Sequence, residues 1–448
     1  MNVTIIGTGY VGLVSAACYA EHGHDVVCVD VDERKVEAVN AGRAFLHEPG
    51  LQELLDRNVP DRLTATTDLP AAVARSELIM VAVPTPFDAR SGRIDLSYVL
   101  RAAQDVGAAL ESGPRKSVIL KSTCVPGTTL DSFHKAVARN ARCDFGVGSC
   151  PEFLSEGTAV DDFLSPDRLV LGASDPVVAK ALRDLHAGFE GVPLIETNPT
   201  TAEAIKYASN AFLATCISFA NEVADACEAA GDVDANEVMR GVHLSRYLTT
   251  DGTTAPIASF LMPGCGYGGS CLPKDVAALA GFLRQNDRIP RMLDAVATTN
   301  DTRGIALVDR VAKRLGTLSG KRVVVLGTAF KPGTGDLRTS PAEPIIDALL
   351  DAGAVVTTHD PLANEATRER FEGRIDVTDD AAAAVRSTDA VILCTAWSEY
   401  KALPAWLTGL ASQPVVADGR RLLSPDSVDH YVGVGLSRTG KPPMRSAA

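Results

Sequence analysis

At 448 residues the chain is too long for one ordinary hydrophobic core, so two or three domains are expected. Its 46% hydrophobic and 22% charged residues are a globular composition, and a net charge of −13 argues against nucleic acid as a partner while leaving room for a local basic pocket around a phosphate. No apolar run reaches the length of a membrane span, so no membrane partner is expected. The N-terminus, Met1-Asn2-Val3-Thr4-Ile5-Ile6-Gly7, lacks the basic and long apolar regions of a signal peptide. The 10 cysteines show no CxxC pair and no Cys/His cluster at metal-ligand spacing. They read as reduced thiols of a cytoplasmic protein without a metal site, most of them, such as Cys216 and Cys227, small core residues.

Val3 to Ile6 has the pattern of a short buried strand, and Gly7-Thr8-Gly9-Tyr10-Val11-Gly12 follows it before an apolar helical run to Ala20. Here G-x-G-x-x-G stands between strand and helix, the context in which its glycines make a tight turn, admit a pyrophosphate and pack helix on strand. A second strand, Asp25 to Val29, ends in Asp30, near the ~20-residue spacing of a ribose-binding acid. A carboxylate there accepts from ribose hydroxyls and repels a 2′-phosphate, which favours NAD over NADP. Leu78 to Val83 is a further strand, broken at Pro84-Thr85-Pro86, and Ser117 to Leu120 another, ending at Lys121-Ser122-Thr123. Ligands of parallel sheets lie beyond strand carboxyl ends, so both turns should face the cofactor. Asp144 to Val147 leads into Ser149-Cys150-Pro151-Glu152-Phe153-Leu154-Ser155-Glu156-Gly157. Glu152 and Glu156 read either as base or hydrogen-bonding groups or as ordinary acids at a helix start.

From about Thr200 to Ala230 the pattern is one long helix, with Lys206 and Asn210 at i and i+4 among small and apolar residues. Together they suit a developing oxyanion; the alternative is a helix edge meeting solvent. Such a helix between two α/β units is also a candidate dimer element. In Gly268-Gly269-Ser270-Cys271-Leu272-Pro273-Lys274-Asp275 a thiol follows a Gly-rich turn, with a Lys-Asp pair three residues on. Read alone, Cys271 is equally a nucleophile, activated by a cation such as Lys274, or a buried inert thiol. Strands at Arg322 to Leu326, Ala354 to Thr358, Ala390 to Thr395 and Pro414 to Ala417 form a second Rossmann-like unit. Its turn, Gly327-Thr328-Ala329-Phe330-Lys331-Pro332, lacks the third glycine, so a nucleoside diphosphate, with charge from Lys331 and Arg420, fits better than a dinucleotide. The expected class is therefore α/β: a Rossmann domain (1–198), a central helical and dimerisation domain (199–300), a second Rossmann-like domain (301–440) and a polar tail (441–448) that reads as disordered. Two nucleotide folds around one helix suggest a reaction between two nucleotide-bearing ligands, one of them NAD.

Over nearly its whole length the chain resembles the UDP-glucose/GDP-mannose dehydrogenase family. The resemblance is carried by Gly7 to Gly12, Pro151-Glu152-Phe153-Leu154, Lys206-Tyr207-Ala208-Ser209-Asn210, Gly268 to Asp275, and Phe330-Lys331-Pro332 through Thr334, Asp336 and Arg338. It implies oxidation of a sugar C6 alcohol to a carboxylate with two NAD⁺. It implies Cys271 as the nucleophile that holds the aldehyde as a thiohemiacetal and then a thioester, with Lys206 and Asn210 stabilising oxyanions. Asp275 and Thr123 would handle the hydrolytic water and Glu152 the last proton transfer, the first base being either Lys206 or a water held by Asp275. For the cofactor it implies Gly7, Gly9, Tyr10, Val11, Gly12, Asp30, Lys35, Thr85, Thr123, Glu156 and Arg338. For the nucleotide sugar it implies Glu152, Phe153, Leu154, Lys206, Asn210, the loop with Gly264, Tyr267 and Gly268, Lys331 and Arg420.

The Arg-Ile-Gly segment common in the family's UDP-glucose enzymes has no arginine in register here, where Ser245-Arg246-Tyr247 and Asp251 to Pro256 stand. Leu244 to Tyr247 and Gly269 to Val276 resemble the GDP-mannose branch, whereas Ser165-Pro166-Asp167-Arg168-Leu169-Val170-Leu171-Gly172 resembles the UDP-glucose branch. UDP-glucose leads, and GDP-mannose or another nucleotide sugar is the alternative. A two-electron hydroxyacid-type dehydrogenase, which needs no thiol, and a non-catalytic NAD-binding protein are the remaining readings.

Overall fold

A computed structural model describes residues 1–436, so the tail expected at 441–448 lies outside the described residues. The chain divides into two compact units, Met1–Ser209 with Gly281–Asn286, and Asn210–Ala280 with Asp287 onward.

In the first unit β1 (Asn2–Ile6), β2 (Asp25–Val29), β3 (Leu63–Thr66), β4 (Leu78–Val81), β5 (Lys116–Leu120), β6 (Phe145–Ser149), β7 (Leu169–Ala173) and β8 (Leu194–Thr197) form one sheet. Their order is β8-β7-β6-β5-β4-β1-β2-β3. Neighbours run parallel except β6 and β7, which pair antiparallel. The chain runs outward from β1 to β3 and then returns to place β4 on the other side of β1. That reversal opens the crevice in which doubly wound sheets bind ligands. All of β4 and β5 is buried, which is why both read as unbroken apolar runs. Strand β4 stops at Val81, two residues before the expected end, and the Val83 carbonyl accepts instead from Ser122 Oγ at 2.7 Å. Strands β3, β7 and β8 escaped the sequence reading; Leu194, Ile195 and Glu196 of β8 are exposed and leave no apolar signature.

Helix α1 (Tyr10–Glu21) starts straight from the glycine loop, and Gly12 to Ala20 are all buried. A Cβ on Gly12 would lie 1.8 Å from the Gly7 carbonyl oxygen. We therefore expect Gly12→Ala to force helix and strand apart. Overpacking of this kind costs about 1–3 kcal/mol, and NAD affinity, measured by fluorescence titration, should fall at least tenfold; unchanged affinity would refute this role for Gly12.

Helix α2 (Ala159–Leu164) follows the Glu152 turn, and α3 (Pro199–Ala230) is 32 residues long. In the second unit β9 (Arg322–Leu326), β10 (Val355–His359), β11 (Asp376–Val377), β12 (Ala390–Leu393), β13 (Val415–Asp418) and β14 (Tyr431–Gly433) make a wholly parallel sheet ordered β11-β10-β9-β12-β13-β14. Helices α4 (Leu272–Gln285) and α5 (Arg291–Leu315) precede it, and Leu307, Val308 and Val311 of α5 share a buried core with Ala224 of α3 and Val323 and Val325 of β9. Among the described residues no helix is long and apolar enough to cross a membrane.

Candidate active site

At the crevice of the first sheet Gly9, the residue before α1, makes no side-chain cap, and the uncapped N–H groups of a helix start suit an anionic group. Asp30, just beyond β2, accepts from the Thr8 N–H (2.8 Å) and hydroxyl (2.5 Å) and from the Asp32 N–H (3.0 Å), with Lys35 Nζ at 3.5 Å. Burial alone would raise its carboxyl, but those donors and Lys35 outweigh it and hold it below the usual range. It stays an anion with acceptor capacity to spare, as a ribose partner must. These residues fit a dinucleotide. Thr85 and Thr123 stand half-buried beyond the ends of β4 and β5.

In the second sheet the acid at the matching position is spent on the protein itself. Asp360, just beyond β10, is buried and accepts from five N–H groups, those of Thr328, Ala329, Leu362, Ala363 and the Trp397 indole. Every oxygen is committed to the protein.

Glu152 and Glu156 do not open a helix; α2 begins at Ala159 and its first-turn acids are Asp161 and Asp162. Glu152 is buried and pairs with the equally buried Lys206 at 3.2 Å, while its other oxygen accepts from the Leu154 N–H at 2.6 Å. Burial pushes this carboxyl up, yet Lys206, the Leu154 N–H and Lys121 prevail and leave it below its ordinary value. Glu152 is thus an ionised acceptor at neutral pH. Phe153 lies beneath the Arg168 guanidinium (3.9 Å) and 5.4 Å from the Lys206 ammonium. A cavity of about 220 Å³ opens onto Glu152, Phe153, Leu154, Lys121 and Arg168.

Three buried groups of this unit were not foreseen. Glu48 takes the Tyr10 hydroxyl and the Gly157 N–H (2.7 Å) on one oxygen and the Ala159 N–H (2.7 Å) on the other. Glu203, one turn before Lys206 on α3, holds the Gly127 and Thr129 N–H groups at 2.7 and 2.8 Å. Lys121 is 3% exposed, its ammonium 5.7 Å from the centre of the Phe163 ring. Backbone partners leave no residue pattern, and only the predicted turn at Lys121-Ser122-Thr123 hinted at any of them.

In the second unit Asn210 is as buried as Lys206, so neither is a solvent-facing helix edge. Asn210 Nδ2 donates to Asp275 Oδ2 at 2.6 Å, and Lys274 Nζ reaches Asp275 Oδ1 at 2.5 Å. Asp275 therefore receives Lys274, the cation expected to serve the thiol. Cys271 is exposed, which removes the buried-thiol alternative. Its carbonyl accepts the Asp275 N–H at 2.9 Å, placing it at the start of α4, where the helix dipole favours an anion. In the loop before it, a Cβ on Gly268 would stand 2.3 Å from the Thr339 carbonyl oxygen, so this glycine is required by the protein's own packing. Gly264 N–H donates to Asn221, and the Tyr267 N–H to Asn300, both at 2.8 Å. Arg420 fastens the same loop: its Nη1 donates to the Gly266 carbonyl (2.9 Å) and its Nε to the Cys394 carbonyl (2.5 Å). Lys331 lies 5.7 Å from the Phe330 ring centre, and the exposed Arg338 grips Asp336 at 2.6–3.0 Å. The first unit thus carries Gly7 to Gly12, Asp30, Lys35, Thr85, Thr123, Glu152 to Glu156 and Lys206. The second carries Asn210, the 264–268 loop, Cys271, Asp275, Lys331, Arg338 and Arg420.

Residues 1–190, 200–302 and 324–425 match, in turn, the NAD binding, central and UDP binding domains of the UDP-glucose/GDP-mannose dehydrogenase family. The chain is 43% identical to the UDP-glucose 6-dehydrogenase AglM of Haloferax volcanii over 95% of its own length and 97% of the relative's. It is 39% identical to the UDP-glucose 6-dehydrogenase TuaD of Bacillus subtilis, over 99% of this chain and 94% of that one. A solved UDP-glucose dehydrogenase from Pyrobaculum islandicum superposes with a TM-score of 0.90 at 38% identity, covering 97% and 98% of the two chains. With a cofactor crevice at the switch point of one sheet, a saturated acid at the same place in the other, and all three domain matches in order, the chain belongs to the UDP-glucose/GDP-mannose dehydrogenase family.

Proposed function

We propose that the protein oxidises the C6 hydroxyl of UDP-glucose to the carboxylate of UDP-glucuronate in two NAD-dependent steps. The observation that carries this reading is the exposed thiol of Cys271 at the start of α4, in a chain whose other cysteines are buried or half-buried. A two-electron dehydrogenase has no use for it. Resemblance to UDP-glucose enzymes over nearly the full length supports UDP-glucose over GDP-mannose.

Bound NAD⁺ supplies the hydride acceptor for both oxidations. Lys206 and Asn210 stabilise negative charge on the C6 oxygen as it develops. Once the aldehyde has formed, the Cys271 thiolate adds to its carbonyl carbon and gives a thiohemiacetal, and removal of the second hydride converts this to a thioester. Water then attacks the thioester carbon, the C–S bond breaks, and the carboxylate leaves with the thiolate restored. Asp275 and Thr123 orient that water, ionised Glu152 takes up one of its protons, and the other passes to solvent as the new carboxyl ionises. Lys206, held beside Glu152 as a counter-ion, serves the oxyanion better than it serves as first base, so a water on Asp275 is the base we favour. Arg420, Lys331, the 264–268 loop, Phe153 and Leu154 hold the nucleotide sugar. Tyr10, Val11, the three loop glycines, Asp30, Lys35, Thr85, Glu156 and Arg338 hold NAD. The enzyme works as a homodimer through α3, whose Phe212 and Phe219 lie seven residues apart and are 59% and 53% exposed. Ten free thiols suit the cytoplasm.

Counting NADH per sugar with UDP-glucose, GDP-mannose and their 2-acetamido analogues tests the reading. Two NADH per UDP-glucose are expected; one per turnover, or preference for a different nucleotide sugar, would overturn it. Asp30→Asn should shift the NAD:NADP preference by about tenfold or more toward NADP, because it removes the charge that repels a 2′-phosphate. Paired kcat/KM values with the two cofactors check this, and an unchanged ratio would relieve Asp30 of that role.

A further inference from the structure

Cys265 and Cys394 are each 1% exposed and meet in the second unit, where the Cys265 thiol donates to the Cys394 carbonyl at 3.5 Å. Cys394 directly follows β12, at its carboxyl end. Gly419 holds the two together: its N–H donates to the Leu393 carbonyl and its carbonyl accepts the Cys265 N–H, both at 2.9 Å. The Cys265 Cβ lies only 3.2 Å from where a Cβ on Gly419 would stand. Arg420 brackets the pair through the Cys394 and Gly266 carbonyls.

We propose that Cys265 and Cys394 are a reversible redox pair whose disulfide draws the 264–268 loop onto the end of β12 and weakens nucleotide-sugar binding. The loop's part in binding rests on the function proposed above; formation of the bond does not.

The electrostatics single out this pair. The hydrogen bond between the two side chains holds the Cys265 thiol below its ordinary value against the opposing effect of burial, Arg420 adds to the fall and Asp418 resists it, while the Cys394 thiol is pushed up. Burial instead pushes up Cys18, Cys28, Cys150, Cys216 and Cys227. Once Cys265 gives up its proton, a thiolate beside the Cys394 thiol is the reactant pair that disulfide formation needs.

A peroxide is the oxidant. The Cys265 thiolate attacks one peroxide oxygen, the O–O bond breaks, and hydroxide leaves and is protonated to water. The Cys394 sulfur then attacks the sulfenic sulfur, the S–O bond breaks, and a second water departs with the Cys394 proton. Two thiols and one hydrogen peroxide give one disulfide and two waters, a two-electron oxidation. The sulfurs must close to ~2.05 Å, which displaces the loop that Arg420 holds at the Gly266 carbonyl. Displacements of about 1 Å in a binding site cost as much as 100-fold in rate.

The test uses the full chain with Cys271→Ser, so that the catalytic thiol takes no part. The protein is treated with hydrogen peroxide, the remaining thiols are alkylated, and its peptides are mapped by mass. UDP affinity is measured by calorimetry before and after. A peptide linking Cys265 to Cys394, about tenfold weaker UDP binding and full recovery with dithiothreitol are expected. Adding Cys394→Ala, or in its place Cys265→Ala, should abolish both the linked peptide and the loss of affinity on oxidation. Absence of the linked peptide, a linked protein that binds UDP as before, or equal weakening in the Cys394→Ala protein would each overturn the proposal. If the reduced protein binds no UDP at all, the nucleotide-sugar reading fails, and the missing switch overturns the proposal with it even where the mass map shows the bond.

Discussion

Replacing Cys271 with serine is expected to lower uronate formation by at least about 10³-fold, a scale set by nucleophile removal in other covalent enzymes, while leaving the fold intact. The side chain is exposed at a helix start, so the change should fall within the ~0.5 kcal/mol typical of surface positions. A serine hydroxyl ionises far less readily than a thiol and, once acylated, is a poorer leaving group than a thiolate. The first oxidation does not require the thiol, so the variant should still reduce NAD⁺ and release or retain aldehyde. Separate measurement of NADH and of glucuronate divides the two halves of the reaction. Full acid production by the serine variant would sink the covalent mechanism; loss of both halves together, in a folded protein, would place Cys271 earlier in the sequence of steps.

The second large effect concerns the buried pair Glu152–Lys206. Lys206→Met strands a carboxylate, and breaking a buried pair from one side costs roughly 3–5 kcal/mol, in addition to the loss of oxyanion stabilisation. The pH dependence distinguishes this from a simple packing defect. In the native protein Glu152 titrates below its unfolded value. Its contribution to stability is therefore present above the ordinary glutamate pKa of ~4.3 and lost as the pH falls through the lowered folded value. Without Lys206 burial dominates, although Lys121 still opposes it, and the folded value rises above the unfolded one. The sign reverses: the variant is penalised at neutral pH and recovers as acid protonates Glu152. Urea denaturation of both proteins at pH 7.5 and pH 5.5 should show the difference narrowing in acid. A gap that is constant with pH would mean that Glu152 is not the stranded charge.

What could be read in advance was what is written locally. The run Val3–Ile6, the glycine loop, the buried helix to Ala20 and the acid at Asp30 lie within thirty residues, and each carries its own periodicity or turn chemistry. The long helix from about Thr200 is equally self-evident, as is the absence of a third glycine at 327–332. Asp360 was not legible. Its backbone partners at 328 and 329 come from another strand end, and Trp397 reaches it from 37 residues away. The same holds for Glu203, whose partners lie 74 and 76 residues back, and for the meeting of Cys265 with Cys394, 129 residues apart. Glu152 lies between. Its importance was open from spacing alone, and only the Lys206 ammonium and the Leu154 N–H turn a generic acid into a fixed anion.

Glu48 has a thermodynamic meaning beyond its hydrogen bonds. One carboxylate oxygen receives both the Tyr10 hydroxyl, from the glycine loop, and the Gly157 N–H, from the turn that carries Glu152 and Glu156. Whatever orders one of these segments lowers the entropy still to be lost by the other. Free energies of this kind are reciprocal: if NAD tightens the hold on nucleotide sugar through Glu48, the sugar tightens the hold on NAD by the same factor. The coupling free energy through Glu48 would then be one quantity, measurable from either side.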